Sequence, residues 1–273
     1  MDKAKVKNLI ILALLLTNVF LLYLMQSDRQ EARAGEAAAW HELTAVFDAN
    51  GIRLSDKARA AQALDALSLR RSLREEQRAV ERLLGTARVE NRGGNIYEYT
   101  TDKGFATFRS TGEFEIWLEE GAVHVGSDPV QTALDVLKKL GIDGDKAAAT
   151  LRDLSGGWEV VITARLGDST VYNARATFTF TTGSLLSVFG VRLPDGDVGR
   201  GEAGMDSGSL LMHFLRAALE GGYVCSEVSD LVCGYRMDTS VTGDVSLVPV
   251  WCVVTDTGEY YLDAITGREE PFA

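Results

Sequence analysis

The side chains with chemistry to offer are three thiols, three imidazoles and two close pairs of carboxylates. Cys225, Cys233 and Cys252 all fall in the last fifty residues, and no Cys-x-x-Cys occurs, so neither a redox pair nor a zinc knuckle is indicated. In an oxidising compartment one pair could join, and the sequence does not fix which; three half-buried thiols on strands is the equal alternative. His41, His124 and His213 stand alone in their segments, without the His-Glu-x-x-His spacing of a metal site. Asp143-Gly-Asp145 and Asp195-Gly-Asp197 place acids on glycine turns, but neither stretch adds the later bidentate acid that a calcium loop requires. Ser110, Ser155 and Ser184 sit in turns, and no Gly-x-Ser-x-Gly elbow presents a nucleophile. Gly93-Gly94 and Gly221-Gly222 do not open a helix after a strand, as a phosphate loop must. The expectation is a protein with no catalytic, cofactor-binding or metal-ligating residues, and not an enzyme.

With no reaction chemistry in view, the weight falls on Leu9 to Met25, seventeen residues without a charge. As a helix this run is about 25 Å long, near the short end of what crosses a hydrocarbon core of about 30 Å. It is longer than the apolar region of a removed signal, and the Ala-x-Ala sites lie beyond it among charges, which favours an uncleaved anchor. Lys3, Lys5 and Lys7 precede it, while Arg29 and Arg33 after it are offset by Asp28, Glu31 and Glu36. The basic side therefore stays in the cytoplasm and the remaining chain lies outside, a single-pass cell-membrane topology with an extracellular C-terminal domain. Ala13 and Thr17 form a small-xxx-small pair one turn before Asn18, whose amide hydrocarbon does not satisfy. The three residues are the candidate contacts with a partner span; the alternative is that Asn18 bonds its own backbone or water.

Composition bounds the partners. The chain has 273 residues and a formal net charge of −11, and its first seven residues hold three Lys and one Asp, so the remainder is near −13. Such acidity argues against nucleic acid and against lying flat on anionic lipid.

The pattern along the chain predicts residues 1–8 as a cytoplasmic tail, 9–25 as the span and 26–71 as a helical connector, with Trp40, Leu43 and Phe47 on one face. A helix–sheet unit follows over 72–127, opened by the Ser72–Glu75 capping box and continued by alternating segments from Asn95, Gly104 and Gly112. A second covers 128–205, with Asp128-Pro129 opening its helix, and a third covers 206–273. The predicted fold class is α+β: one N-terminal transmembrane helix, then repeated helix-plus-antiparallel-sheet units.

The last unit ends in Tyr261, Asp263, Ala264, Thr266 and Gly267, and resembles a PepSY-type module, whose closing strand and turn carry these residue types. The opening, with Asn18, Val19, Phe20 and Leu21 in its apolar run, is similar to YycI-type regulators of Gram-positive two-component systems. Ala49 to Ile52, with Glu76, Ala79 and Leu83 to Gly85, also fits that pattern. The resemblance implies a membrane regulator of cell-wall homeostasis that binds a sister protein of the YycH type and a sensor histidine kinase, without catalysis. The alternative is a tethered exterior module that restrains a secreted peptidase or binds wall fragments.

Overall fold

The structure, a computed structural model, describes residues 35, 37–59, 61–194, 198–221, 224–239 and 245–271. Its helices are α1 (37–49), α2 (Asp56–Arg59), α3 (Leu73–Leu84), α4 (Pro129–Lys139) and α5 (Ser207–Gly221). Its strands are β1 (Arg53–Leu54), β2 (Asp65–Leu69), β3 (Arg88–Gly93), β4 (Ile96–Thr101), β5 (Gly104–Phe108), β6 (Glu113–Leu118), β7 (Asp143–Gly144) and β8 (Thr150–Leu154). They continue with β9 (Gly157–Leu166), β10 (Ser169–Thr181), β11 (Leu185–Val191), β12 (Val198–Ala203), β13 (Glu227–Thr239), β14 (Val245–Thr255) and β15 (Glu259–Asp263).

The local punctuation works as the side chains dictate. The Ser72 hydroxyl accepts from the Glu75 amide at 3.4 Å and starts α3. Asp128 accepts from the Val130 and Gln131 amides at 2.9 and 3.1 Å and starts α4, with Pro129 in the first turn where its missing N–H costs nothing. Gly141 follows that helix with φ of 76°, a conformation open to glycine at little cost.

The expectation of repeated helix-plus-sheet units is corrected. The described chain is mostly sheet, and its strands form one curled sheet in the order β12-β2-β14-β13-β10-β11-β6-β5-β4-β3, with the other five strands branching from it. The physical reason lies at the edges. Each meander taken alone leaves an unpaired row of amides and carbonyls, and pairing across stretches removes it: β6 joins β11 through five residue pairs from Glu113↔Val191 to Trp117↔Ser187. Likewise β2, from the segment expected to be a helical connector, pairs with both β12 and β14. The connector itself is helical over 37–49 and Asp56–Arg59, then extended over Asp65–Leu69. The predicted span, Leu9 to Met25, lies outside the described residues. Among the described residues no helix is long and apolar enough to cross a membrane.

Two hydrophobic cores sit on this sheet. In the first, Val80, Leu84, Val136 and Leu137 of α3 and α4 cover Phe108, Phe114, Ile116, Val160 and Phe178. In the second, Leu43 and Phe47 of α1 and Leu210, Leu211 and Phe214 of α5 cover Leu231, Trp251, Val253 and Leu262. Trp251 is fully buried, and its indole N–H donates to the Met205 carbonyl at 3.1 Å.

One ion pair is set inside the first core. Arg71 reaches Glu76 with two nitrogens, at 2.6 and 2.9 Å, and also donates to the Asn95 and Phe108 carbonyls. The Tyr99 hydroxyl donates to the same carboxylate at 3.3 Å, and burial together with that carboxylate pushes the phenol pKa well up. Glu76 is only 5% exposed, so removing one partner strands the other. Glu76→Ala should cost about 3–5 kcal/mol in urea unfolding. Arg71→Met with Glu76→Leu should cost clearly less than the single change, since no buried charge is left over.

Candidate partner-binding cleft

A cleft of about 860 Å³ opens between α1, the segment after α2, and the first turn of α5. Its apolar wall is Trp40, Leu43, Val46 and Met212; Glu42, Arg59, Gln62, Asp206 and Ser209 supply polar groups. Leu43 belongs to the second core, whereas Val46 and Met212 are 40% and 46% exposed. They sit on the outer flanks of amphipathic helices, and among the described residues each leaves a large apolar part uncovered.

Each wall is held by its own local chemistry. The Asn50 amide nitrogen donates to the Val46 carbonyl at 2.8 Å and ends α1, after which Gly51 turns with φ of 76°. Asp206 starts α5: its carboxylate accepts from the Ser209 amide at 3.0 Å and the Ser209 hydroxyl at 2.7 Å. These bonds, the backbone one foremost, hold the Asp206 pKa below the ordinary 3.8. The Met205 amide donates to the Ala264 carbonyl at 2.7 Å, which fixes the start of α5 to the turn after β15. A rigid floor with an apolar wall and charged rim suits an amphipathic helix or an extended apolar segment of another protein.

The sequence-predicted residues are distributed as follows. Ala13, Thr17 and Asn18 lie outside the described residues, as does Asp195-Gly-Asp197. Asp145 accepts from the Ala147 amide at 2.9 Å, an ordinary turn bond. His41 and His213 are exposed, the latter on α5 with its ring against Gly267, and His124 bridges to Ser184 through the backbone. Among the described residues no group of three His, Cys, Asp or Glu is placed to hold a metal.

All three cysteines are free thiols. Cys233 lies opposite Trp251 and Cys252 opposite Val232, so the two thiols point to opposite faces of the β13–β14 pair. Cys225 stands just before β13 and Cys233 is its seventh residue, about 20 Å along the strand, far beyond disulfide reach. Burial raises all three pKa values, to about 11 for Cys233 and to about 12 for Cys252. Of the cleft's apolar wall, Trp40 and Leu43 are legible in the sequence as a helix face, whereas Val46 and Met212 carry no motif and come together only in the fold.

Two outcomes follow for solution. In the folded protein at pH 8, a thiol reagent should label Cys225 first and Cys252 only on unfolding, and oxidation should leave no intramolecular disulfide; peptide mass mapping checks both. Asp206→Ala should lower stability by about 1 kcal/mol near neutrality. Because the folded pKa of Asp206 is depressed, that difference is full above 3.8 and fades as pH falls through the folded value, which urea titrations at successive pH values would follow.

No protein-family model matches the chain, and no curated protein matches it. Among solved structures it is similar to an uncharacterized protein from Eubacterium rectale ATCC 33656, at 10% identity over 81% of this chain and 90% of that one, with a TM-score of 0.41. It is also similar to the YpeB C-terminal domain of Bacillus megaterium, at 9% identity over 73% of this chain and 96% of that one, with a TM-score of 0.36. At these values neither likeness assigns a function.

Proposed function

We propose that the chain is a membrane-tethered regulator that acts by binding other membrane proteins, of the YycI type, with a sister regulator of the YycH type and a sensor histidine kinase as partners. Its output is two-component control of cell-wall homeostasis. The observation that carries this reading is the position of the cleft. Its first wall is α1, described continuously from residue 37, while the apolar run ends at Met25. Even fully extended, the residues between span at most about 40 Å, so the cleft stays close to the surface to which the run would anchor it. A partner held in the same membrane presents its own juxtamembrane segment at that height. Val46 and Met212 are then the residues that lose water on contact, each contributing about 1–2 kcal/mol when its exposed part is covered.

The test is a paired substitution on the full chain, Val46→Glu with Met212→Glu, both on exposed flanks where the fold tolerates charge. Crosslinking to the co-expressed sensor kinase and sister regulator should fall at least about tenfold, with kinase output shifted in the same cells. Unchanged crosslinking would remove the cleft from the partner interface. Exchange of residues 1–25 for an unrelated apolar run gives the second arm: retained kinase control would show that the run only tethers.

A further inference from the structure

Among the described residues, α3 and α4 cover one face of the half of the sheet that runs from β3 through β11 to β10, with β8 and β9 beside it, and no described helix packs on the other. Ala106, Phe114, Ile116, Phe178 and Val188 point into the first core. Their neighbours along each strand point the other way, because successive residues alternate between faces. On that outer face Phe105 lies directly opposite Trp117 across the β5–β6 pair, 40% and 44% exposed. Phe189 joins them, its ring edge-on to Trp117 with centroids 5.2 Å apart. Thr100, directly opposite Phe105, and Thr107, on the same face of β5, add hydroxyls.

Charge distinguishes this face from the rest of the molecule. Arg92 holds Glu90 at 3.1 Å and Glu98 at 2.7 Å, Arg109 reaches Glu113 at 3.8 Å and Glu115 at 3.5 Å, and Arg152 holds Glu159 at 2.8 Å. With Arg88 and Arg175 on the same face, arginines and glutamates balance, in a chain of net charge −11. The net charge over this face is therefore near zero, so electrostatic fit favours a neutral ligand. Area narrows the choice further. Two large rings less than half exposed offer about 200 Å², well short of the roughly 800 Å² per partner of a stable protein interface.

We propose that Phe105, Trp117 and Phe189 form a binding platform for a neutral β-linked glycan, whose equatorially substituted rings present flat C–H faces to aromatic carbon and hydroxyls to the flanking threonines. Dispersion against the rings supplies the attraction, and the threonines replace part of the water lost by the sugar. The site is separate from the cleft beside α1 and does not depend on the partner reading.

The test uses the full chain in a polyoxyethylene detergent, which carries no sugar ring, titrated calorimetrically with cellohexaose and with chitohexaose. Saturable binding of at least one hexasaccharide is expected, weakened about tenfold by Trp117→Ala and measurably by Phe105→Ala, and insensitive to added NaCl. Trp117→Tyr, which keeps a ring, should retain affinity within about threefold and guards against misreading a folding defect. Failure of both sugars to saturate overturns the proposal, as does equal affinity in wild type and both alanine variants. Affinity that falls with salt assigns the face to a charged ligand, and a dimer that Trp117→Ala dissolves assigns it to a second copy; either result also overturns it.

Discussion

The arrangement depends on one strand that serves two neighbours along the same edge. β10 pairs with β13 in parallel at Val171↔Tyr235, and from Ala176 to Phe180 it pairs with β11 in antiparallel. Between these ladders the strand must leave one partner before it meets the next, and backbone groups of β13 would be left without a rung. Asn173 fills the gap with its side chain. Its Oδ1 accepts from the Met237 amide and its Nδ2 donates to the Met237 carbonyl, both at 2.8 Å, so one amide group imitates a strand residue. Both groups of a buried residue are thereby satisfied, each worth about 1–3 kcal/mol if orphaned. The two cores can then share one sheet although different helices cover them.

That junction explains what the sequence showed and what it hid. Helix caps and glycine turns are decided by neighbours within four residues, so Ser72, Asp128 and Gly141 were legible. Strands whose faces differ in polarity were legible too, as in β6, where Phe114, Ile116 and Leu118 are buried and Glu113 and Trp117 exposed. β3 and β8, by contrast, are exposed at every residue, and sequences such as Arg-Val-Glu-Asn-Arg-Gly carry no alternation to read. They are strands because β4 and β9 each offer them a free edge. The sequence of β2 predicts helix because Ala and Leu favour helices in isolation, and the ladder with β14 overrides that preference. Strand order between distant stretches is set by which edges remain unsaturated, a property of the whole sheet. The repeat of helix and meander therefore looked modular in sequence while the pairing is continuous.

The candidate site was hidden for the same reason. Trp40, Leu43 and Phe47 were legible as a helix face, and Leu43 and Phe47 do bury against the second core. Val46 and Met212 fall off the apolar stripe of their helices, where an isolated apolar residue has no stated meaning. Only their meeting across the cleft gives them one. The cysteines show the converse. Their spacing leaves the pairing open, and strand register sets Cys233 and Cys252 on opposite faces, because a shift of one residue sends a side chain to the other face.

The cleft is also mechanically joined to the sheet. α1 leans on the second core through Leu43 and Phe47, and α5 leans on it through Leu210, Leu211 and Phe214. At the base, Trp251 holds the Met205 carbonyl, the Met205 amide holds Ala264, and Asp206 begins α5 at the next residue. Any load that moves α1 against α5 therefore bears on Trp251, which lies at the centre of β14 between β13 and β15. A close-packed core transmits such a load because it has no free volume in which to absorb it. The junction at Asn173 lies on the far side of β13 from Trp251, so the strand that carries the load is the one clamped to β10. The wall of the cleft and the junction of the two cores thus meet on a single strand pair, β13 with β14.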